Sequence, residues 1–425
     1  WILERAREKI GHLYPPGKDG KPVIGYLWAR TAPCSNPTCR GEIPLLRSLL
    51  VCNKKDKKVA LTMDVDKKRK TVRFGIAEGK AVNTTKGTAI DRVATCPFCE
   101  QPTPSENIKR ASFEGNLGER ITAVIVEGRQ GKSYRPVEES DLQAVEAARN
   151  LLNPEDAPSE SMPDSPDLVS GRGWNFKTWG SLFNPRQLVA MHTFVSCLHD
   201  ALDAMRKEIK DDGQCSAVGV YLGLFISRIA SRCSNVGIWH TKGEKLEHPF
   251  GRQAIPMTWD YPEANPFSES TGGAQGQFGW MKRVILHESM AFQPAVVTRG
   301  DGAALSLKEA TCDVVVTDPP YFDAIAYGDL SDYFYVWLKR GLGDVIPEAL
   351  VTPLTPKTDE ATALKHRHHG DAEKADAHFK AKLAAVLAEA HRVLKPDGVI
   401  SVMFAHQSTK AWTGLVSAIF EAGLT

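Results

Sequence analysis

Two sets of residues in this chain have the types and spacing for chemistry. The first is Asp318-Pro319-Pro320-Tyr321, which follows the apolar run Val314-Val315-Val316-Thr317. An aspartate carboxylate and a backbone carbonyl both accept hydrogen bonds, so together they suit the two hydrogens of an exocyclic amine. Pro319-Pro320 fixes the backbone that presents them, and Tyr321 offers a flat face on which a base stacks. The second set is Cys34, Cys39, Cys96 and Cys99, two short-spaced pairs that each enclose a proline, Pro37 or Pro97. This is the pattern of two knuckles around a zinc ion, and four thiolates would close its coordination sphere, making the metal structural.

The elements that must position these residues follow from periodicity and turn signals. The run ending at Thr317 reads as a buried parallel strand whose carboxyl edge carries Asp318 and Tyr321, the edge where open α/β sheets bind ligands. A further strand is expected over 294–298, ending in Arg299-Gly300-Asp301-Gly302. Helices are expected over 331–340 and 375–393, then the turn Leu394-Lys395-Pro396-Asp397-Gly398 and a strand over 399–404. The 56 residues between Cys39 and Cys96 exceed a minimal ribbon. They hold a β-excursion, strands 59–65 and 71–77 about the charged tip Asp66-Lys67-Lys68-Arg69-Lys70. Lys54, Lys55, Lys57, Lys58, Lys67, Lys68, Arg69 and Lys70 are candidate phosphate contacts, with a plain solvated face as the alternative.

Between these regions a strand is expected over 121–127, a helix over 138–152, and a Pro-, Ser- and Asp-rich linker over 154–167. Asn184 and Pro185 signal a helix start, with helices over 186–210 and 216–234, the second apolar all round and therefore buried. The segment 259–267 reads as a loop, either lining a pocket or packed by its aromatics. Gly272, Gly273, Gly276 and Gly279 lack a preceding strand and read as a flexible loop. His366-Arg367-His368-His369 reads as a solvated loop.

With 53 Lys and Arg against 51 Asp and Glu, the chain has no global polyanion-binding signature. The basicity is local: residues 31–100 hold 14 Lys and Arg against 7 Asp and Glu, a net of +7. No apolar run reaches 18 residues, so the expectation is a soluble, cytoplasmic protein without membrane contact. Cys52, Cys197, Cys215, Cys233 and Cys312 lie singly and read as reduced core thiols. The chain starts at Trp1 and stops soon after an expected helix, which suggests an interior piece of a longer protein.

Several short stretches carry a family resemblance. Trp28-Ala29-Arg30, the two Cys pairs, Phe183-Asn184-Pro185-Arg186-Gln187, Glu263-Ala264-Asn265-Pro266-Phe267, Asp318 to Phe322 and Tyr327-Gly328-Asp329-Leu330-Ser331 together resemble the adenine-specific DNA methylases that contain a zinc ribbon. The similarity spans nearly the whole chain. It implies an α/β, Rossmann-like methyltransferase, of which this chain would carry the C-terminal half of the sheet, with an inserted zinc-ribbon β module and a helical middle region. The implied division is a lead-in over 1–24, the zinc-ribbon module with its basic hairpin over 25–130, and a helix and linker over 131–172. A helical region over 173–285 and the catalytic half over 286–425 complete it.

By that resemblance, S-adenosylmethionine would methylate adenine N6 of a base flipped out of DNA. Asp318, Pro319, Pro320 and Tyr321 would be catalytic, Phe322 and Tyr327 would wall the base pocket, and Asp301 would lie near the cofactor adenine, with a plain turn aspartate as the alternative. The implied cofactors are S-adenosylmethionine and structural zinc. DNA is the implied partner, alongside further defence or restriction-modification components. The family's Gly-rich cofactor turn occurs nowhere in the 425 residues, so this piece alone would bind the cofactor poorly or not at all. Two other readings stay open: N4-cytosine or RNA amine methylation, and a non-catalytic zinc-ribbon nucleic-acid-binding protein with a degenerate methyltransferase fold.

Overall fold

The computed structural model describes every residue except Asn83, Arg129, Gln130, Thr271, Ala291, Phe292, Pro294 and Thr425. The chain is mixed α/β and divides into two units. One comprises Trp1–Met162, Val169–Ser289 and Phe334–Pro353, the other Pro163–Leu168, Met290–Tyr333 and Leu354–Thr425.

In the first unit, helix α1 (Ile2–Ile10) precedes strand β1 (Val23–Pro33). An almost unbroken apolar run suits a strand covered on both faces, and every β1 residue up to Ala32 is buried. Strand β2 (Glu42–Pro44) folds back on β1, and β3 (Leu50–Asn53), β4 (Lys58–Asp66) and β5 (Thr71–Glu78) form a three-stranded antiparallel sheet. The expected excursion is therefore present. Its ladder runs from Val59 opposite Glu78 to Asp66 opposite Thr71, and the tip closes on Lys70 in the left-handed region at φ 54°. Short strands β6 (Ala89–Ile90), β7 (Val93–Thr95) and β8 (Pro102–Pro104) make a second small sheet and lead into helix α2 (Ser105–Phe113).

Strands β9 (Gly118–Gly128) and β10 (Gly131–Arg135) and helix α3 (Glu139–Leu151) follow. Helix α4 (Pro185–Glu208) opens on a capping box in which Asn184 and Gln187 exchange side-chain and backbone bonds of 2.8 and 2.9 Å, as the Asn-Pro signal anticipates. Helix α5 (Asp212–Ala230) departs from expectation. Only one face is covered, with Gly219 against Leu202 and Gly223 against Leu342, while Val218, Tyr221 and Leu224 are exposed. The apolar residues exceed what its neighbours can cover. Among the described helices α5 alone is long and apolar enough to cross a membrane, and 44% of its most apolar 18-residue stretch is buried within the fold.

Strands β11 (Ile238–His240) and β12 (Lys245–Glu247) form a hairpin, followed by β13 (Asp260–Ala264) and helix α6 (Ala274–Glu288). The main sheet of this unit is antiparallel in the order β10-β9-β1-β13. Two expectations are corrected here. The expected loop over 259–267 contains β13, whose Pro262 disguises it: a proline is tolerated because β13 is an edge strand. Its pairing with β1 is tight, since a Cβ at Gly25 would stand 2.5 Å from the Glu263 carbonyl oxygen. The expected flexible loop at Gly272 to Gly279 is largely helix, with Gly273 at the N-cap of α6 and Gly276 and Gly279 inside it. Glycine costs a helix about 1 kcal/mol per residue, which is why this segment read as a loop.

The second unit contains β14 (Cys312–Thr317), the start of α7 (Tyr327–Leu342), α8 (Ala372–Val393), β15 (Leu394–Val402) and α9 (Thr409–Glu421). Strands β14 and β15 pair in parallel, as expected for the strand preceding Asp318. Burial does not follow: Val314, Val316 and Val399 are 59%, 67% and 62% exposed, because this sheet has only these two strands among the described residues. Of the expected strand over 294–298, Pro294 lies outside the described residues, and the described residues 295–298 form no strand; Val296 and Val297 are exposed. The Leu394 to Gly398 turn is absorbed into β15 by a register shift, with Cys312 opposite Leu394 and Val314 opposite Val399. The core of this unit packs Phe322, Phe379, Leu383, Leu387 and Leu415 between α8 and α9.

Candidate metal centre and strand-edge site

The four cysteines expected to act together do meet. Cys34 and Cys39 lie in the β1–β2 turn and Cys96 and Cys99 in the β7–β8 turn. Their sulfurs all lie within 4.8 Å of one another, so the cluster could hold a metal ion. Cys34 Sγ is 3.6 Å from Cys99 Sγ, and Cys39 Sγ is 3.7 Å from Cys96 Sγ. Thiolates about 2.3 Å from a tetrahedral zinc would sit roughly 3.8 Å apart, and a disulfide would need about 2.05 Å. The donor set and spacing are thus consistent with structural zinc. Backbone bonds shape each knuckle: Cys34 N donates to Gly41 O at 2.9 Å and Cys96 N to Gln101 O at 3.0 Å. The knuckles also pack on each other, since a Cβ at Gly41 would meet the Phe98 ring at 2.3 Å.

The eight basic residues proposed for phosphate contact have different surroundings. Lys54 and Lys57 both pair with Glu244, which projects from the β11–β12 turn. Burial opposes ionisation of Glu244, yet bonds from Lys54, Lys57 and Tyr134 pull it down to about 2. Lys67 pairs with Glu100 and Lys70 with backbone carbonyls of the first knuckle. Lys55, Lys58 and Lys68 have exposed side chains with no ion pair among the described residues, and Arg69 lies 3.9 Å from Asp66.

Three stretches that sequence reading grouped only by resemblance converge on one buried cluster. Arg186 and Glu263, both with side chains 0% exposed, form a two-pronged pair at 2.7 and 2.9 Å. Glu263 also accepts from Trp28 Nε1 at 2.7 Å and Asn184 Nδ2 at 3.1 Å. The Arg186 guanidinium lies 3.9 Å from the Tyr26 ring centroid. Arg30 is buried as well, donating to the Thr258 and Asn235 carbonyls and lying over Phe176. These residues therefore lock α4 to β1 and β13, which is an architectural role.

In the second unit, Asp318 is exposed at the end of β14 and Pro319 is buried beneath it. The Tyr321 phenol titrates above its ordinary range, first because it bonds to the Asp318 carboxylate. The Tyr327 phenol is raised too, first by burial and then by the charges of Asp318 and Glu360. Asp318, Tyr321 and Tyr327 thus share one locale. The Phe322 ring is buried edge-on against Phe379 at 5.0 Å and also meets the His406 ring at 5.6 Å, with its backbone in the left-handed region at φ 56°. Asp301 stands in an exposed turn, where its carboxylate accepts from Ala303 N at 2.9 Å.

Sequence reading missed the residues that complete this edge. Phe404 lies just beyond β15, edge-on to Tyr321 at 5.8 Å and to Trp412 of α9 at 5.2 Å. Trp412 Nε1 donates to the His406 carbonyl at 3.0 Å, and the His406 ring bonds Asp323 at 3.1 Å. A parallel pairing of β14 with β15 was the available signal, because it brings both carboxyl ends together.

The expected solvated loop 366–369 is also corrected. Arg367 bonds the buried Asp329 at 2.7 Å and Glu360 at 2.5 Å, and His366 bonds Asp329 at 3.0 Å. Burial opposes ionisation of Asp329, but His366 and Arg367 hold its carboxyl below the usual range. Glu360 in turn accepts from Gly328 N at 3.1 Å, and Thr355 Oγ1 donates to Gly328 O at 2.7 Å. The residue next to Tyr327 is therefore clamped on both sides. Asp329 lies 37 and 38 residues before His366 and Arg367, a separation that sequence spacing does not reveal. No family model, curated protein or solved structure matches this chain.

Proposed function

We propose that this chain carries the amine-binding corner of a methyltransferase that modifies the exocyclic amine of a nucleobase, adenine N6 in DNA, and that Cys34, Cys39, Cys96 and Cys99 hold a structural zinc ion. The observation that carries the reading is the shared carboxyl edge of β14 and β15, with Asp318, Tyr321, Phe404 and Trp412 on it. The Asp318 carboxylate and the Pro319 carbonyl accept the two amine hydrogens and so orient the nitrogen lone pair. Tyr321 stacks on a base taken out of its duplex, which offsets an unstacking cost of a few kcal/mol. Positioning rather than a strong base supplies the rate.

The donor implied by resemblance is S-adenosylmethionine. The described residues do not form a cradle for it: Asp301 lies in an exposed turn with no described strand before it, and the Gly-rich cofactor turn that the resemblance implies does not occur in these 425 residues. The roles above therefore concern the amine and base only. The four-cysteine cluster and the exposed cations Lys68 and Arg69 on the neighbouring hairpin support a second reading, a zinc-dependent nucleic-acid-binding protein without catalysis.

Digesting DNA from cells expressing the complete gene, and measuring N6-methyladenine and N4-methylcytosine, separates these readings. N6-methyladenine above the vector control is expected. N4-methylcytosine would reassign the base, and finding neither product would favour either RNA as the substrate or the non-catalytic reading.

A further inference from the structure

The tip of the β4–β5 hairpin is tied to both cysteine knuckles. Lys67 Nζ donates to Glu100 at 2.7 Å, and Glu100 directly follows Cys99. Lys70 Nζ donates to the carbonyls of Cys39 at 2.5 Å and Thr38 at 3.4 Å. Between these ties, Asp66 Oδ1 accepts from the amides of Lys68 and Arg69 at 3.0 and 2.9 Å and sets the turn. The side chains of Lys68 and Arg69 are left exposed. The tip thus carries four cations (Lys67, Lys68, Arg69 and Lys70) against Asp66 and the Glu100 to which Lys67 is tied.

Exposed ties of this kind are individually weak. They hold the tip only while the knuckles themselves are rigid, and rigidity of a four-thiolate knuckle comes from its metal. We propose that the hairpin tip contacts the phosphate backbone of double-stranded DNA through Lys68 and Arg69, and that metal loading of the Cys34–Cys39–Cys96–Cys99 cluster sets its pose. The inference rests on the zinc and DNA readings above. Phosphate contact positions a protein without reading sequence, so the tip anchors the duplex and carries no base specificity.

The test uses the protein from its complete gene, with zinc content, trypsin cleavage at residues 67–70 and affinity for a DNA duplex across salt concentrations measured on each sample. Lys68→Met should keep its zinc and lower the salt slope by about one. Glu100→Gln discriminates most sharply, because removing an acid should by charge alone tighten DNA binding. A strapped tip predicts the reverse: unchanged zinc, several-fold faster cleavage at the tip and about threefold weaker binding. Chelation of the wild type should give the same two changes, larger. Unchanged cleavage with equal or tighter binding in Glu100→Gln, or an unaltered salt slope in Lys68→Met, overturns the proposal while leaving the zinc and DNA readings standing. A wild type that holds no zinc or binds no duplex overturns the proposal together with the corresponding reading.

Discussion

Replacing Glu263 by glutamine keeps the shape of a fully buried side chain and removes its charge. Four donor contacts converge on this carboxylate, two from Arg186 and one each from Trp28 and Asn184. The Arg186 guanidinium would then be left without its counter-charge in a site closed to water. Breaking a buried pair from one side costs about 3–5 kcal/mol, and weakening two charge-assisted bonds to neutral ones adds about 1 kcal/mol. The exposed Lys9–Asp200 pair, by contrast, should be worth less than about 1 kcal/mol. Denaturant titration followed by amide exchange in β1 and β13 reads this unit specifically. Glu263→Gln should lower its stability by about 4–6 kcal/mol, and adding Arg186→Met should restore part of that loss, because an apolar side chain no longer needs the partner. A loss below about 1 kcal/mol, or strictly additive single and double variants, would refute the view that this pair locks α4 to the sheet.

Two further outcomes follow from the charged clusters. Glu244 drops from a usual 4.5 to about 2, so its contribution is complete above pH 4.5 and fades as pH falls toward 2. It amounts to at most about 3 kcal/mol, and about 1–2 kcal/mol after allowing for the solvent exposure of Lys54 and Lys57. Glu244→Gln should flatten the stability loss between pH 6 and pH 3, and parallel curves for the two proteins would count against the pairing. On the catalytic reading, Arg367→Met should loosen the clamp on Gly328 and cut methyl transfer by about tenfold or more at unchanged zinc content, with partial recovery in Arg367→Lys. Activity equal to wild type would show that the clamp does not position Tyr327.

Local signals were the legible part of the sequence. The cysteine spacing placed the metal cluster, the Asn184-Pro185 start placed α4, and alternation with a charged tip placed the β4–β5 hairpin, because each depends on residues near one another in the chain. What depends on distant partners was not legible. Pro262 and the clustered glycines hid β13 and the start of α6, whose formation is decided by a neighbouring strand and by the residues between the glycines. The Arg367–Asp329 clamp and the Phe404–Trp412 wall arise only once tertiary packing sets their neighbours. The exposed valines of β14 illustrate the opposite error: an apolar run predicts a strand, but its burial depends on what pairs beside it.

The central claim is that Asp318 orients an amine for methyl transfer. The most direct measurement compares wild type and Asp318→Ala, each from the complete gene, for incorporation of labelled methyl groups into DNA, with zinc content and unfolding midpoint recorded alongside. Asp318 is exposed and outside the core, so the variant should keep its zinc and its stability while losing methyl transfer by more than about a hundredfold. Retained transfer in a folded, zinc-loaded Asp318→Ala protein would contradict the account.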